Sequence, residues 1–363
     1  MVANLFELEK VNMDDILLEA VKKEASDVHL SVGKPPVFRV NGRLSSQGAD
    51  ILTPPQTIRL TEQVMPDKIR RLFEENMEAD FSHVIESGER FRANVFTQKG
   101  TRSAVFRLIP NKIKTLEELN MPEVLKSFTL LPRGLVLVTG PTGSGKSTTL
   151  TSMIDLINTN KDVHIITLED PIEYVHQSKM SIVNQREIGQ DSLTFKRALR
   201  SVLREDPDVI LLGEMRDLET ISTAVTLAET GHLVFATLHT TNAAQTVDRI
   251  IDVFPSDQQE QIRFQLSNVL EAIVTQTLLP CLHGGRICAT EILIMTSAAR
   301  SGVRNNKTNT LNDIMQMSAK HGMQTLEQSL YRLYKGGMIT ADAALSASSK
   351  PDILKQMMGN VCF

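Results

Sequence analysis

The sequence predicts an α/β protein in two parts: an N-terminal α+β domain, then a parallel-sheet domain that ends in a helical region. Three observations predict it. Before Pro110, short alternating apolar runs are separated by hairpin turn signals. From Gly134 onward, continuous apolar runs alternate with helical patterns, as strands joined by crossover helices do. Between Gly140 and Ser147, a glycine-rich loop joins the first of those apolar runs to a helical pattern.

Taken in order, residues 4–23 carry apolar residues at helical spacing, and residues 27–31 and 37–40 read as strands. Asn41-Gly42 is a hairpin signal. Pro54-Pro55 opens a helical stretch over residues 57–75. Strands over residues 90–96 and 104–108 flank a turn at Lys99-Gly100. These elements bound the α+β domain at residues 1–108. A linker with a short helix covers 109–132 and is studded with Pro110, Pro122 and Pro132. The parallel-sheet domain spans 133–295, with buried-strand patterns at 135–139, 164–168, 209–212 and 233–238. Helical patterns lie between them at 147–157, 193–204 and 218–229. After Pro255, Ser256-x-x-Gln259 has the form of a capping box and predicts a long helix to about Leu279. A strand over 287–295 follows, and residues 296–363 read as helices separated by Gly and Asn.

Composition narrows the function classes. The 363-residue chain is 41% apolar and 23% charged, as ordinary soluble domains are. A net charge of −4, no Trp and only three Tyr give no expectation of nucleic-acid binding. Cys281, Cys288 and Cys362 are odd in number and lack framework spacing, which suits a reducing cytoplasm. The acidic N-terminal stretch does not read as a secretory signal. Apolar runs such as 134–138 and 209–212 are too short to span a bilayer, so membrane association is expected through a partner.

The chemistry-bearing residues sit at predicted strand ends. Gly140-Pro141-Thr142-Gly143-Ser144-Gly145-Lys146-Ser147, followed by Thr148, is a complete phosphate-binding loop in strand–loop–helix context. Its glycines let backbone N–H groups turn toward phosphate oxygens, and the helix N-terminus adds positive potential. Lys146 is expected at the β- and γ-phosphates of ATP and Ser147 at Mg²⁺. The apolar run 209–212 leads to Glu214, a Walker B arrangement suited to polarising water or holding the metal through water. Glu169 and Asp170 follow another apolar strand and are expected to face Mg²⁺ and water, while Glu173 reads equally well as an exposed loop acid. His239 ends a core strand and is placed to sense the γ-phosphate; His232 reads equally as a residue just past a helix end. Spacing within residues 134–240 assigns no arginine to the phosphates, and Arg90, Arg92, Arg102 and Arg107 of the first domain read singly as solvated strand residues.

Together these boxes resemble the secretion and pilus motor ATPase superfamily, and within it the type IV pilus retraction ATPases. The resemblance runs through Ala25–Leu30, residues 90–96, 134–148, 168–174, 183–187, 199–217, 228–241, 248–255 and 322–326. It implies a PAS-like first domain, a RecA-like second domain and a homohexameric ring with nucleotide bound between the domains. It implies that Arg92 and Arg107 reach the phosphates, with Arg102 a weaker match. It also makes Glu214 the catalytic Walker B glutamate, and places Glu169 in an Asp box and His232 and His239 in a His box. A platform protein of the inner membrane, engaged from the cytoplasm, and a paralogous pilus ATPase are the implied partners. Ser222 stands where such chains commonly carry Arg, and residues 298–304 match the family's C-terminal helix only in part. An assembly or type II secretion ATPase is the nearest alternative, but Cys281 and Cys288 lack the partners for the zinc module usual there. A RecA-like nucleic-acid translocase and a non-hydrolysing nucleotide-binding regulator are the alternatives from other classes.

Overall fold

The computed structural model describes residues 10–110 and 112–359, so Cys362 lies outside the described residues. They divide into two compact units, one within Met1–Asn111 and the other within Lys112–Phe363.

The first unit begins with α1 (Met13–Lys22), shorter than the predicted helix, whose first six residues are outside the described ones. β1 (Ala25–Leu30), β2 (Val37–Val40) and β3 (Arg43–Ser46) follow, then α2 (Pro54–Val64) and α3 (Asp67–Asn76). β4 (Glu78–Val84), β5 (Arg90–Gln98) and β6 (Thr101–Ile109) complete the unit. The single helix predicted over 57–75 is thus two helices. Met65 is extended because it precedes Pro66, and that breaks the run. The strands form an antiparallel sheet in the order β3-β2-β1-β6-β5-β4 among the described residues. β3 and β4 were not predicted: β3 is exposed along its whole length and carries no apolar alternation to read. Ile16, Leu17, Val28, Phe38, Leu60, Phe91 and Phe106 fill the core between sheet and helices.

In the second unit α4 (Val124–Thr129) precedes β7 (Gly134–Thr139), α5 (Lys146–Asn160), β8 (His164–Glu169), β9 (Ile182–Glu187) and α6 (Phe195–Val202). Then come β10 (Val209–Leu212), α7 (Leu218–Glu229), β11 (Leu233–Leu238), α8 (Ala243–Asp252), α9 (Gln259–Val269), β12 (Leu270–Pro280) and β13 (Arg286–Ile294). α10 (Ser297–Arg304), α11 (Leu311–Met317), α12 (Leu326–Lys335), α13 (Ala341–Ala347) and α14 (Pro351–Met358) complete the described elements. The sheet order is β13-β12-β7-β11-β10-β8-β9 among the described residues. β12, β7, β11, β10, β8 and β9 run parallel and β13 is antiparallel to β12. β7 is buried at all six positions, because helices cover both sheet faces. Leu135 and Leu137 belong to one core and Val136 and Val138 to the other, as alternate residues of a strand must.

The long helix predicted to Leu279 is corrected. α9 stops at Val269 and Leu270–Pro280 is a strand, laid between β7 and β13. A strand buried on both faces shows no alternation, so its apolar run reads like a continuation of the helix before it. Nor does Ser256 cap α9: the N-cap is Gln258, with no side-chain cap bond, and Pro255–Gln258 closes as a turn. β9 was also missed, its residues alternating only between exposed and half-buried until Glu187. Among the described residues, no helix is long and apolar enough to cross a membrane.

Candidate active site

Parallel strands bring their C-terminal ends to one edge, and that edge collects the predicted residues. Register aligns Thr139 with Leu238, Ala236 with Leu212, and Leu212 with Leu168. The loops after β7, β11, β10 and β8 therefore open side by side.

The loop after β7 is a tight cradle. Gly140 has φ +135°, and a Cβ there would stand 2.4 Å from the Gln276 carbonyl and 2.7 Å from Ser144 Oγ. Gly143 and Gly145 also have positive φ, with open space around them. Pro141 and Thr142 are exposed and Ser144 is buried. The amides at the start of α5 lack partners one turn back, as at any helix N-terminus. Lys146 is buried and its Nζ donates to the carbonyls of Gly140 (2.9 Å) and Pro141 (3.1 Å). Burial holds the proton affinity of Lys146 below the ordinary lysine value, against the opposing pull of Glu214 and Glu173. Thr148 Oγ1 and the Tyr174 hydroxyl lie 3.1 Å apart, joining α5 to the loop after β8.

His239 stands between Lys146 and Glu214. Its Nε2 lies 3.1 Å from Glu214 Oε1 and its Nδ1 lies 3.5 Å from Lys146 Nζ. The imidazole thus spans the gap between the lysine ammonium and the Glu214 carboxylate. Arg216 Nη2 contacts the other Glu214 oxygen at 2.8 Å. Burial alone would raise the Glu214 pKa, but the Arg216 hydrogen bond and His239 outweigh it and hold the carboxyl below its usual range. The surroundings of Glu214 thus favour its carboxylate form. Thr237 donates its hydroxyl to the Gly213 carbonyl, fixing the residue before Glu214. Replacing Thr237 by Val removes that donor at constant shape. Thermal unfolding is expected to show a loss of about 1–3 kcal/mol, with a fall in turnover.

Glu169 sits at the end of β8, where Thr167 Oγ1 (2.6 Å) and Gln185 Nε2 (3.1 Å) donate to its Oε1. Burial raises its pKa in spite of both bonds. Asp170 and Glu173 are exposed on the loop that follows.

Not all predicted residues gather here. His232 lies at the opposite end of β11, its Nδ1 2.9 Å from the Leu227 carbonyl and 3.1 Å from Thr230 Oγ1. At roughly 3.3 Å per residue along a strand, it is about 23 Å from His239 along the chain. Arg92 and Arg107 belong to the first unit, where they are directly opposed across β5 and β6 and exposed. Arg107 Nε donates to buried Asp27 at 2.8 Å, and Arg92 lies 3.8 Å from Asp80. Burial would raise the pKa of Asp27, but hydrogen bonds from Arg107 and Ser26 lower it. Arg102 differs from both: it lies over the Phe73 ring and 3.4 Å from Glu62, occupied within its own unit.

Arg216, Thr237, Gln185 and Gln276 were not predicted as site residues. Arg216 lies two residues beyond Glu214 in the loop after β10. Gln185 and Gln276 carried no readable signal, since their strands were not recognised.

Nucleotide and Mg²⁺ fit the residues present. Ser144 Oγ is buried with no hydrogen-bond partner, inside a cradle that a Cβ at Gly140 would fill. No group of three or more His, Cys, Asp or Glu among the described residues is placed to hold a metal alone. Mg²⁺ commonly needs only one or two protein ligands besides phosphate oxygens and water.

The family model for type II/IV secretion system proteins matches residues 4–301. The chain is 49% identical over 342 residues to the type IV pilus retraction ATPase PilT of Pseudomonas aeruginosa, covering 94% of this chain and 99% of PilT. It is 43% identical to the type IV pilus ATPase PilU of the same organism, over 96% of this chain and 91% of PilU. The crystal structure of the pilus retraction motor PilT with bound ADP superposes with a TM-score of 0.90 at 49% identity, over 96% of this chain and 100% of that one. The fold is accordingly that of these proteins: an N-terminal domain followed by a RecA-like ATPase domain. With most of its length matched by the family model and nearly all of it by PilT, the chain belongs to the type II/IV secretion system protein family.

Proposed function

We propose that the chain is an Mg²⁺-dependent ATPase motor that works as a homohexamer and drives type IV pilus retraction, and with it twitching motility. The observation that carries the hydrolytic reading is the line Lys146–His239–Glu214–Arg216 across three adjacent loops. Lys146 and the amides from Gly143 to Thr148 would hold the phosphates. Ser147 would hold Mg²⁺, with Glu169 and Glu214 reaching it through water; the metal would neutralise phosphate charge. Glu214 orients the attacking water and takes up its proton. His239 stands between lysine and acid, so a γ-phosphate drawn to Lys146 changes the partner of Nδ1 and is felt at Glu214.

Arg92 and Arg107 are proposed to add positive charge to the phosphates, on the strength of the family resemblance and their shared exposed face. The same resemblance supports a motor cycle in which hydrolysis moves one unit relative to the other. A cytoplasmic location, an inner-membrane platform protein and a paralogous pilus ATPase as partners belong to this proposal too. The high identity to PilT along nearly the whole chain favours retraction over assembly or secretion.

The test has a chemical and a cellular arm. Lys146→Ala is expected to abolish ATP turnover and weaken nucleotide binding, measured by phosphate release and by titration with a fluorescent ADP analogue. Deleting the gene is expected to leave long pili that do not retract. Loss of pili would point to assembly instead, and strong stimulation of turnover by DNA to a nucleic-acid motor.

A further inference from the structure

We propose that Gln185 is a positioning residue for hydrolysis: its carboxamide ties the Glu169 carboxylate to the loop that follows β8, and so fixes the orientation from which Glu169 would reach Mg²⁺ through water. This rests on the reading of Glu169 as a residue that meets the metal in that way.

Register places Gln185 opposite Thr167 and Glu187 opposite Glu169 on the neighbouring parallel strands β8 and β9. Residues two apart on a strand share a face, so these four side chains form one polar patch at the C-terminal ends of the two strands. Gln185 makes three hydrogen bonds there. Its Nε2 donates to Glu169 Oε1 at 3.1 Å and to the Tyr174 carbonyl at 2.8 Å, and its Oε1 accepts from the His176 amide at 2.7 Å. The partners fix the sense of the amide, because a carboxylate and a carbonyl only accept and a backbone N–H only donates. Thr167 Oγ1 donates to the same Glu169 oxygen at 2.6 Å. Two donors from different strands on one oxygen leave the carboxylate little freedom to turn.

Holding the loop in place does not by itself account for this residue. The Ile172 amide donates to buried Glu187 at 3.2 Å. Farther along, buried Asn158 of α5 donates its side-chain amide to the Gln177 carbonyl at 2.8 Å and accepts from the Lys179 amide at 2.9 Å. The Asn158 carbonyl accepts from the amides of Met180 and Ser181, and Lys179 Nζ lies 2.8 Å from Asp155. The loop is thus fastened before Tyr174 and after His176 without Gln185. What Gln185 adds is a join between the Glu169 side chain and the loop backbone at those two residues.

The join has a second end. Tyr174, whose carbonyl Gln185 holds, places its hydroxyl 3.1 Å from Thr148 Oγ1 in the first turn of α5. Thr148 follows Ser147, the Mg²⁺ residue of the proposed site. One carboxamide therefore stands between the acid at the end of β8 and the start of α5, the two elements that would face the metal together. Removing it leaves both in the fold but loosens the relation between them.

The experiment is a double-mutant cycle on the full chain with Gln185→Met and Glu169→Ala. It reads kcat and the affinity for the fluorescent ADP analogue, the latter both with Mg²⁺ and with a chelator, and the thermal midpoint shows that each variant is folded. Gln185→Met is expected to lower kcat about 10–30-fold and the affinity with Mg²⁺ about 3–10-fold, as losing the partner of a metal-site residue does. Affinity in the chelator is expected to stay within about twofold of wild type, whereas a merely structural role would weaken binding equally under both conditions. In the Glu169→Ala background the same change is expected to have no further effect on kcat. Equal kcat losses in both backgrounds, equal weakening with and without Mg²⁺, or wild-type kcat for Gln185→Met would overturn the join while leaving the site reading intact. Wild-type turnover and Mg²⁺ response in Glu169→Ala alone would instead sink the reading of Glu169, and this inference with it. Should Gln185→Met fail to fold, hydrogen exchange on the wild-type chain with ADP decides. Adding Mg²⁺ is expected to raise protection at the His176 amide, which Gln185 holds; unchanged protection there would refute the join.

Discussion

Replacing Glu214 by Gln is expected to lower ATP turnover about 10²–10⁴-fold while leaving nucleotide affinity within a few-fold of wild type. The two effects separate because the groups do. The proposed phosphate site is the loop after β7 and the start of α5, whereas Glu214 comes from the loop after β10. The carboxylate accepts from Arg216 and lies against His239, and both favour its ionised form. A carboxamide has nearly the same shape but cannot take up the proton that the attacking water must lose. Folding is expected to be little affected, because Glu214 is partly exposed and exposed ion pairs contribute little. Single-turnover quench with labelled ATP checks it, since the variant should accumulate bound, uncleaved triphosphate. Near-wild-type turnover would transfer the role to another acid. Glu169 is less suited to it, because one of its oxygens is committed to Thr167 and Gln185.

Gly140→Ala is expected to be the most damaging single-atom change in the loop. The residue has φ +135°, which L side chains rarely adopt, and the new Cβ would meet the Gln276 carbonyl at 2.4 Å. Backbone strain of about 1–3 kcal/mol, before the clash is counted, corresponds to about 5–150-fold weaker nucleotide binding if the loop must relax to bind. Gly143→Ala is the control: its φ is also positive, but nothing stands within 4 Å of the added atom. It should lose less. Titration of both variants with the ADP analogue tests the order, and equal affinities would show that contact with β12 does not shape the loop.

Much of the candidate site was legible because its chemistry sits next to chain punctuation. A glycine-rich loop between an apolar strand and a helix announces a phosphate cradle. Apolar strands ending in Glu169, Glu214 and His239 point to one sheet edge, since crossover connections make the strands parallel. Where legibility failed, the cause was also physical. β12 is buried on both faces and lost its alternation, so it read as helix, and with it went Gln276, whose carbonyl confines Gly140. Met65-Pro66 split a helix whose apolar spacing looked continuous.

By itself, then, the sequence determined where the glycine-rich loop stands between strand and helix and which strand ends carry acid, because those depend on neighbours a few residues away. Tertiary structure decided who meets whom. Two histidines seven positions apart were separated by the length of β11, because an extended strand spends every residue on distance. Lys146, His239 and Glu214, scattered through the sequence, were brought into one line because parallel register aligns strand ends without regard to chain order. The same alignment placed Glu291, an unremarked acid in β13, against the amide of Ala243 at the start of α8.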